Sequence, residues 1–139
     1  MKTHKISIKT HKRNELVDVT SEVQKIVKTS KVKNGYCIVY CPHTTGAVTI
    51  NENADPSVKT DIINTLNKLI PENANYAHAE GNSDSHVKSS LVGCSELILI
   101  ENGELVLGTW QGIMFAEFDG PRNRKLFIQI VSDYFFPPQ

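Results

Sequence analysis

The sequence has no excess of charge of either sign: its 139 residues hold 15 Lys and Arg against 15 Asp and Glu. A chain that grips nucleic acid through a bulk basic surface, or a membrane through a polybasic segment, needs such an excess. Neither partner is expected. Long hydrophobic runs are also missing, and none approaches the ~20 residues that cross a bilayer. The opening stretch MKTHKISIKTHKRN has no apolar core of the kind an export signal needs. A cytoplasmic protein is the expectation. Cysteine is scarce, limited to Cys37, Cys41 and Cys94. An odd number without an export signal favours free thiols over a disulfide framework. No repeat, linker or low-complexity tract interrupts the chain, which reads as one domain over 1–139.

What is present is the material of a folded domain, with 40% hydrophobic and 22% charged residues. Residues 4–10 alternate, with Ile6 and Ile8 on one face, as a half-buried strand does. Leu16, Val17 and Val19 mark a second short strand. Thr20 is suited to cap a helix to about residue 30, with Val23, Ile26 and Val27 on one stripe. Tyr36 to Cys41 reads as a buried strand, and Ala47 to Ile50 as another after a polar break. Asp55-Pro56 starts a helix, since the carboxylate accepts from free N–H groups and proline suits the first helical position. Val58, Ile62, Leu66, Leu69 and Ile70 then keep helical spacing up to Pro71. Residues 72–90 are polar and show no clean period. Asn102-Gly103 is a hairpin signal between Leu97–Ile100 and Leu105–Leu107. Gln111 to Phe118 and Leu126 to Val131 read as a strand pair joined across Asp119-Gly120-Pro121. The expected fold is α+β, with antiparallel or mixed β-sheet layers and two main helices.

The stretch from His78 to Ser90 concentrates the chemistry. His78 and His86 offer nitrogen ligands, and Glu80 or Asp84 oxygen ligands, to a divalent metal. Lys88 suits a phosphate as a point charge. Ser89 and Ser90 can donate to phosphate oxygens, the more so if a short helix begins near them. A polar surface loop is the plain alternative. His78-Ala79-Glu80 also fits the H-x-E of zinc deaminases. That reading needs a later P-C-x-x-C, and only Cys94 follows, so it is rejected.

In the turn Cys41-Pro42-His43-Thr44-Thr45-Gly46, His43 is a third imidazole or a general base. Thr44 and Thr45 can bond a phosphate or a substrate ring, or simply close a strand-end turn. Cys37 and Cys41 would lie about 13 Å apart on a strand, too far for one zinc ion, and read as core. Asn51 and Glu52 are less easily explained by local structure and can face a site; Asp55 is most simply a cap. In Gly108-Thr109-Trp110-Gln111-Gly112, Trp110 reads as a core or subunit-interface residue, and Gln111 can read a polar ring edge. Arg122 and Arg124 can bind phosphate in bidentate fashion, against the plain alternative of a solvated turn.

Three segments, CPHTTGAVTINENADP at 41–56, HAEGNSDSHVKSSLVG at 78–93 and GELVLGTWQGIMFAEFDGPR at 103–122, resemble the YjbQ-like family, a secondary thiamine-phosphate synthase family. The resemblance implies a small α+β subunit that assembles as a homotrimer. It implies a histidine-rich site near a subunit boundary and weak thiamine-phosphate synthase activity. Carried over, the site includes His43, His78, Glu80, Asp84, His86, Lys88 and the Gly108–Gln111 turn.

Residues and resemblance together give catalytic candidates His43, Glu80, His86 and Lys88. Substrate-binding candidates are Thr44, Thr45, Asn51, Ser89, Ser90, Thr109, Trp110, Gln111 and Arg122. Metal candidates are His43, His78, Asp84 and His86. The reaction implied joins hydroxymethylpyrimidine diphosphate to thiazole phosphate and releases pyrophosphate. The expected cofactor is a divalent metal ion: magnesium for that transfer, zinc or another transition metal if the three imidazoles bind it. The expected partner is a phosphorylated small molecule. The alternatives are a metal-dependent hydrolase of a phosphorylated small molecule, or a non-catalytic trimer that binds a metal or metabolite.

Overall fold

The computed structural model describes residues 2–133. In chain order the elements are β1 (Thr3–Lys9), β2 (Glu15–Asp18), α1 (Thr20–Ser30), β3 (Gly35–Tyr40), β4 (Gly46–Glu52), α2 (Pro56–Leu69) and α3 (Ser83–Val92). Then follow β5 (Ser95–Glu101), β6 (Glu104–Leu105), β7 (Gln111–Glu117) and β8 (Asn123–Ser132). The strands form a five-stranded sheet, β1-β8-β3-β5-β6, and a three-stranded sheet, β2-β7-β4. Every pairing is antiparallel. The fold is α+β, as expected.

Alternation decides which face of the large sheet is inside. Ile6 and Ile8 of β1, Cys37 and Val39 of β3, Ile98 and Ile100 of β5, and Leu126 and Ile128 of β8 all turn inward. They meet Val48, Ile113 and Phe115 of the small sheet and Val19, Val23 and Val27 around α1. Burying one such side chain is worth about 1.5–3 kcal/mol, so this core holds the two sheets together. The other face of the small sheet packs Leu16, Ala47, Met114 and Ala116 under Ile62, Ile63 and Leu66 of α2. The layers are therefore helices α2 and α3, small sheet, large sheet. No helix among the described residues is long and apolar enough to cross a membrane.

Four details depart from expectation. Thr20 lies inside α1, and the Asp18 carboxylate accepts from its N–H at 2.9 Å. The threonine hydroxyl is used elsewhere, accepting from the Ile113 N–H at 2.8 Å. Second, β7 and β8 are not a pair: β7 is central in the small sheet and β8 lies between β1 and β3 in the large one. The Asp119-Gly120-Pro121 turn carries the chain between layers. Third, the described residues form three helices. The polar stretch contains α3, whose buried face is Ser83, Asp84, Ser85, Lys88 and Ser89. A helix with a polar buried face leaves no apolar period to find. Fourth, Ser89 and Ser90 sit toward its C-terminal end and not at its start.

The outward face of the large sheet is bare in part. Leu97 and Leu99 on β5 are each 57% exposed, and Ile38 and Tyr40 on β3 are exposed beside them. Tyr36 lies opposite Leu99, and Ile38 opposite Leu97, so these side chains are contiguous.

Candidate functional site

Beyond β3 the chain turns through Pro42 to Thr45 before entering β4. Cys41 fixes the start of this turn by donating its N–H to the Cys94 carbonyl at 2.7 Å. Gly46 fixes the end, because a Cβ there would lie 2.6 Å from the Phe115 ring. His43 stands between them. Its ring meets Phe115 edge-on at 6.2 Å, and its Nε2 accepts the Lys125 backbone N–H at 3.0 Å. The proton of the neutral ring is therefore on Nδ1. Burial, with the Arg124 charge beside it, pushes the His43 pKa below the usual 6.5. The imidazole is neutral at pH 7.

Opposite this turn, α3 presents His86, Ser89 and Ser90 at helical spacing, followed by Gly93 just past its end. With His43, Thr44, Gly46 and Cys94 they line a cleft of about 510 Å3. Ser89 Oγ is buried and has no hydrogen-bond partner among the described residues. His78 stands against His86, with ring centroids 5.6 Å apart and planes at 87°. Glu80 Oε2 lies 3.7 Å from His78 Nε2. Folding thus brings the candidates His43, Thr44, His86, Ser89 and Ser90 around one space, with His78 against His86 and Glu80 beside His78.

The metal expectation does not fit this arrangement. Asp84 is fully buried, with Oδ1 accepting from Arg13 at 3.0 Å and Oδ2 from Lys88 at 3.1 Å. The His43 Nε2 lone pair is taken by Lys125. Among the described residues no three His, Cys, Asp or Glu side chains converge on a common ion position.

Lys88 is also not where a phosphate meets it. It is 1% exposed, and its ammonium donates to Asp84, to Asn67 at 2.7 Å and to Asn14 at 3.4 Å. All three donors are used, which is what a buried ammonium requires. Thr45 is similarly committed: it is buried, and its hydroxyl accepts from Arg124 at 2.8 Å. Arg124 in turn is ion-paired with the buried Glu117. Burial alone would raise the Glu117 pKa. Hydrogen bonds from Arg124, the Asp119 amide and Thr10 outweigh burial and hold it below the usual carboxyl range. Arg122 folds back on Asp119, donating to its carbonyl at 2.8 Å and its carboxylate at 3.0 Å.

The other substrate candidates lie elsewhere. In the β4–β7 ladder Gly46 faces Glu117 and Glu52 faces Gln111. Six residues separate these rungs, about 20 Å along a strand. Asn51, Thr109, Trp110 and Gln111 are at the far end from His43. Trp110 is 63% exposed there, Gln111 Oε1 accepts from the Gly108 N–H at 2.8 Å, and Asn51 Oδ1 accepts from the Glu52 N–H at 2.7 Å. A single chain thus carries two separate poles. Asn14 and Asn67, which hold Lys88, and Arg13, which holds Asp84, gave no sequence signal, because nothing local marks a residue whose role comes from a contact 21 to 74 positions away. His43 also lines a second cavity, of about 580 Å3, walled by residues of the paired strands β1 and β8.

Comparison with known proteins agrees with this fold. The family model for UPF0047 protein YjbQ-like matches residues 4–133. A UPF0047 protein of Methanocaldococcus jannaschii is 60% identical over 129 residues, covering 93% of this chain and 94% of that protein. The UPF0047 protein YugU of Bacillus subtilis is 48% identical, covering 91% and 97%. A solved YjbQ/UPF0047 structure from Clostridium acetobutylicum superposes with a TM-score of 0.91 at 52% identity, covering 92% of this chain and 99% of that one. A YbjQ-like protein of unknown function from Sulfolobus solfataricus gives a TM-score of 0.91 at 30% identity, covering 95% and 97%. The names of these relatives designate a family and assign no activity. Motifs, layer order and nearly full-length matches converge, and the chain belongs to the YjbQ-like UPF0047 family.

Proposed function

We propose that the chain is one subunit of a homotrimeric transferase that joins hydroxymethylpyrimidine diphosphate to thiazole phosphate, releasing pyrophosphate. The observation that carries this reading is the cleft in which His43, Thr44, His86, Ser89 and Ser90 surround one space of about 510 Å3. That volume is in the range of small-molecule sites. Its lining is rich in neutral hydrogen-bond donors.

The chemistry asks little of a nucleophile. The C–O bond between the pyrimidine methylene and the diphosphate breaks, its electron pair leaves with pyrophosphate, and the thiazole nitrogen supplies the pair for the new C–N bond. The protein's task is to hold two substrates in line and to stabilise charge developing on the leaving group. His86 and the hydroxyls of Thr44, Ser89 and Ser90 are donors placed for that. Asp84 and Lys88 act one step back, by holding α3 against the sheet. No step is routed through a metal, because Asp84 and the His43 Nε2 lone pair are engaged with other groups and no three of the candidate ligands converge among the described residues.

Assembly supplies what one chain lacks. The bare face of Ile38, Tyr40, Leu97 and Leu99 favours a second copy of the same chain, since exposed contiguous apolar surface of this kind marks an interface. In a trimer the Trp110–Gln111 pole of one subunit approaches the histidine cleft of the next, where Gln111 reads the pyrimidine edge.

The test is incubation of the purified protein with both phosphorylated precursors and measurement of thiamine phosphate. Wild type forms it, and His86→Ala lowers turnover about 100-fold or more, the worth of one preorganised donor, with an unchanged thermal midpoint. Absence of product from wild type, or full activity in His86→Ala, overturns the assignment.

A further inference from the structure

We propose that the second cavity lined by His43, which the paired strands β1 and β8 wall together with it, is an anion subsite that takes a phosphate or diphosphate group. The need for one follows from Lys88. The cation best placed by sequence for a phosphate is buried, with every donor bonded within the protein. An anionic ligand has to be met by other cations.

Strand alternation supplies them. Ile6 and Ile8 of β1 point into the core, so Lys5, Ser7 and Lys9 point out. The antiparallel register sets Lys125 of β8 directly opposite Ser7, and Asn123 opposite Lys9. Opposite residues lie about 5 Å apart and alternate ones about 7 Å, so three lysine stems rise around one hydroxyl. These residues and His43 line a cavity of about 580 Å3 whose wall contains no carboxylate. None of the three lysines joins an ion pair among the described residues. In a chain with zero formal net charge, that is a local concentration of positive potential, which draws anions.

Protection of a sheet edge is the competing explanation for lysines on β1, an edge strand. It does not cover Lys125, which stands on β8 just beyond the end of its β3 register at Phe127, where the His43 ring already takes the backbone N–H that an open edge would expose. Nor does it account for His43, whose Nε2 is fixed by the Lys125 backbone so that Nδ1–H is left as a donor. Lys125 Nζ lies 5.6 Å from the Phe127 ring centre, a contact to the ring face that leaves N–H donors for an anion. Arg124, also in the wall, is held through Nε and Nη2 by Glu117 and Thr45, and adds to the cationic character of the wall. His43 lines both cavities. Taken with the transferase reading, on which the identity of the anion rests, the subsite holds the diphosphate while the histidine cleft holds the ring.

The test is calorimetric titration of the full-length protein with inorganic pyrophosphate at low ionic strength. Wild type binds one pyrophosphate per chain, more weakly as salt is added. Lys5→Ala and Lys125→Ala each weaken binding about tenfold, the worth of one charge-assisted hydrogen bond. Lys68→Ala, on the exposed side of α2, leaves it unchanged. The proposal is overturned if wild type does not bind, or if Lys5→Ala and Lys125→Ala match Lys68→Ala. If only His86→Ala loses pyrophosphate, the anion sits in the other cleft; this inference falls and the transferase reading stands. If the lysine pattern is seen but wild type forms no thiamine phosphate, the subsite stands and the transferase reading falls.

Discussion

Glu117 and Arg124 face each other beside Thr45 in the interior, and both are buried. An ion pair this deep contributes little net stability while whole, because desolvating two charges offsets their attraction; removing one partner is another matter. Arg124→Ala leaves Glu117 charged and buried, with only Thr10 and the Asp119 amide bonding it. The expected loss is about 3–5 kcal/mol, read as a lower midpoint in urea. The pair also sets an acid limit. The folded Glu117 carboxyl titrates below its ordinary 4.5, so as pH falls the unfolded chain binds the proton first. The stabilisation is complete above pH 4.5 and is lost as pH drops through the folded value. Glu117→Gln removes that dependence, and its unfolding free energy falls less steeply between neutral pH and pH 3 than that of wild type. An equally steep acid limb in the variant would show that other carboxylates set it.

At the scale of elements, α3 is held by charge where the other helices use apolar side chains. Asp84 binds both Arg13 and Lys88, Ser85 donates to the Phe118 carbonyl, and Asn82 donates to Asp119. The network ties one helix to the loop before β2, to α2 and to the turn after β7. Its consequence for mutagenesis is specific. Lys88→Ala, which from sequence alone is a substitution of a ligand-binding cation, takes one of two cations from a buried carboxylate. The expected result is loss of about 3–5 kcal/mol of stability and increased hydrogen exchange along α3, with any fall in activity following from that. A variant of full stability and no activity would return Lys88 to the site itself.

At the scale of the molecule, the placement of the two poles decides what the protein needs. The histidine cleft and the Trp110–Gln111 turn lie at opposite ends of the same β4–β7 ladder. If assembly joins the cleft of one subunit to the turn of another, inactive variants from the two poles rescue each other. His86→Ala and Gln111→Ala, unfolded together and refolded as a mixture, are expected to regain part of the wild-type activity that neither has alone. No recovery would place the complete site within one chain. The interface itself is tested by Leu97→Glu, which sets a carboxylate in the bare apolar face. Sedimentation velocity is expected to show a monomer in place of the proposed trimer, with unchanged circular dichroism.

The sequence by itself determined the parts whose cause is local. Inward Ile6 and Ile8, the Asp55 cap with Pro56 behind it, and the turn at Asn102-Gly103 all follow from neighbours a few residues away, and the structure has each of them. It also brought His43 and His86 forward as candidates, and folding sets them around one cleft. Tertiary structure decided the rest. The separation of β7 and β8 into different sheets, the polar underside of α3, the enclosure of Lys88 and the distance from His43 to Gln111 depend on which elements pack together. Packing energy is summed over contacts far apart in the chain. A buried ammonium and a solvent-exposed one are the same letter in the sequence, and only the surroundings that folding assembles tell them apart.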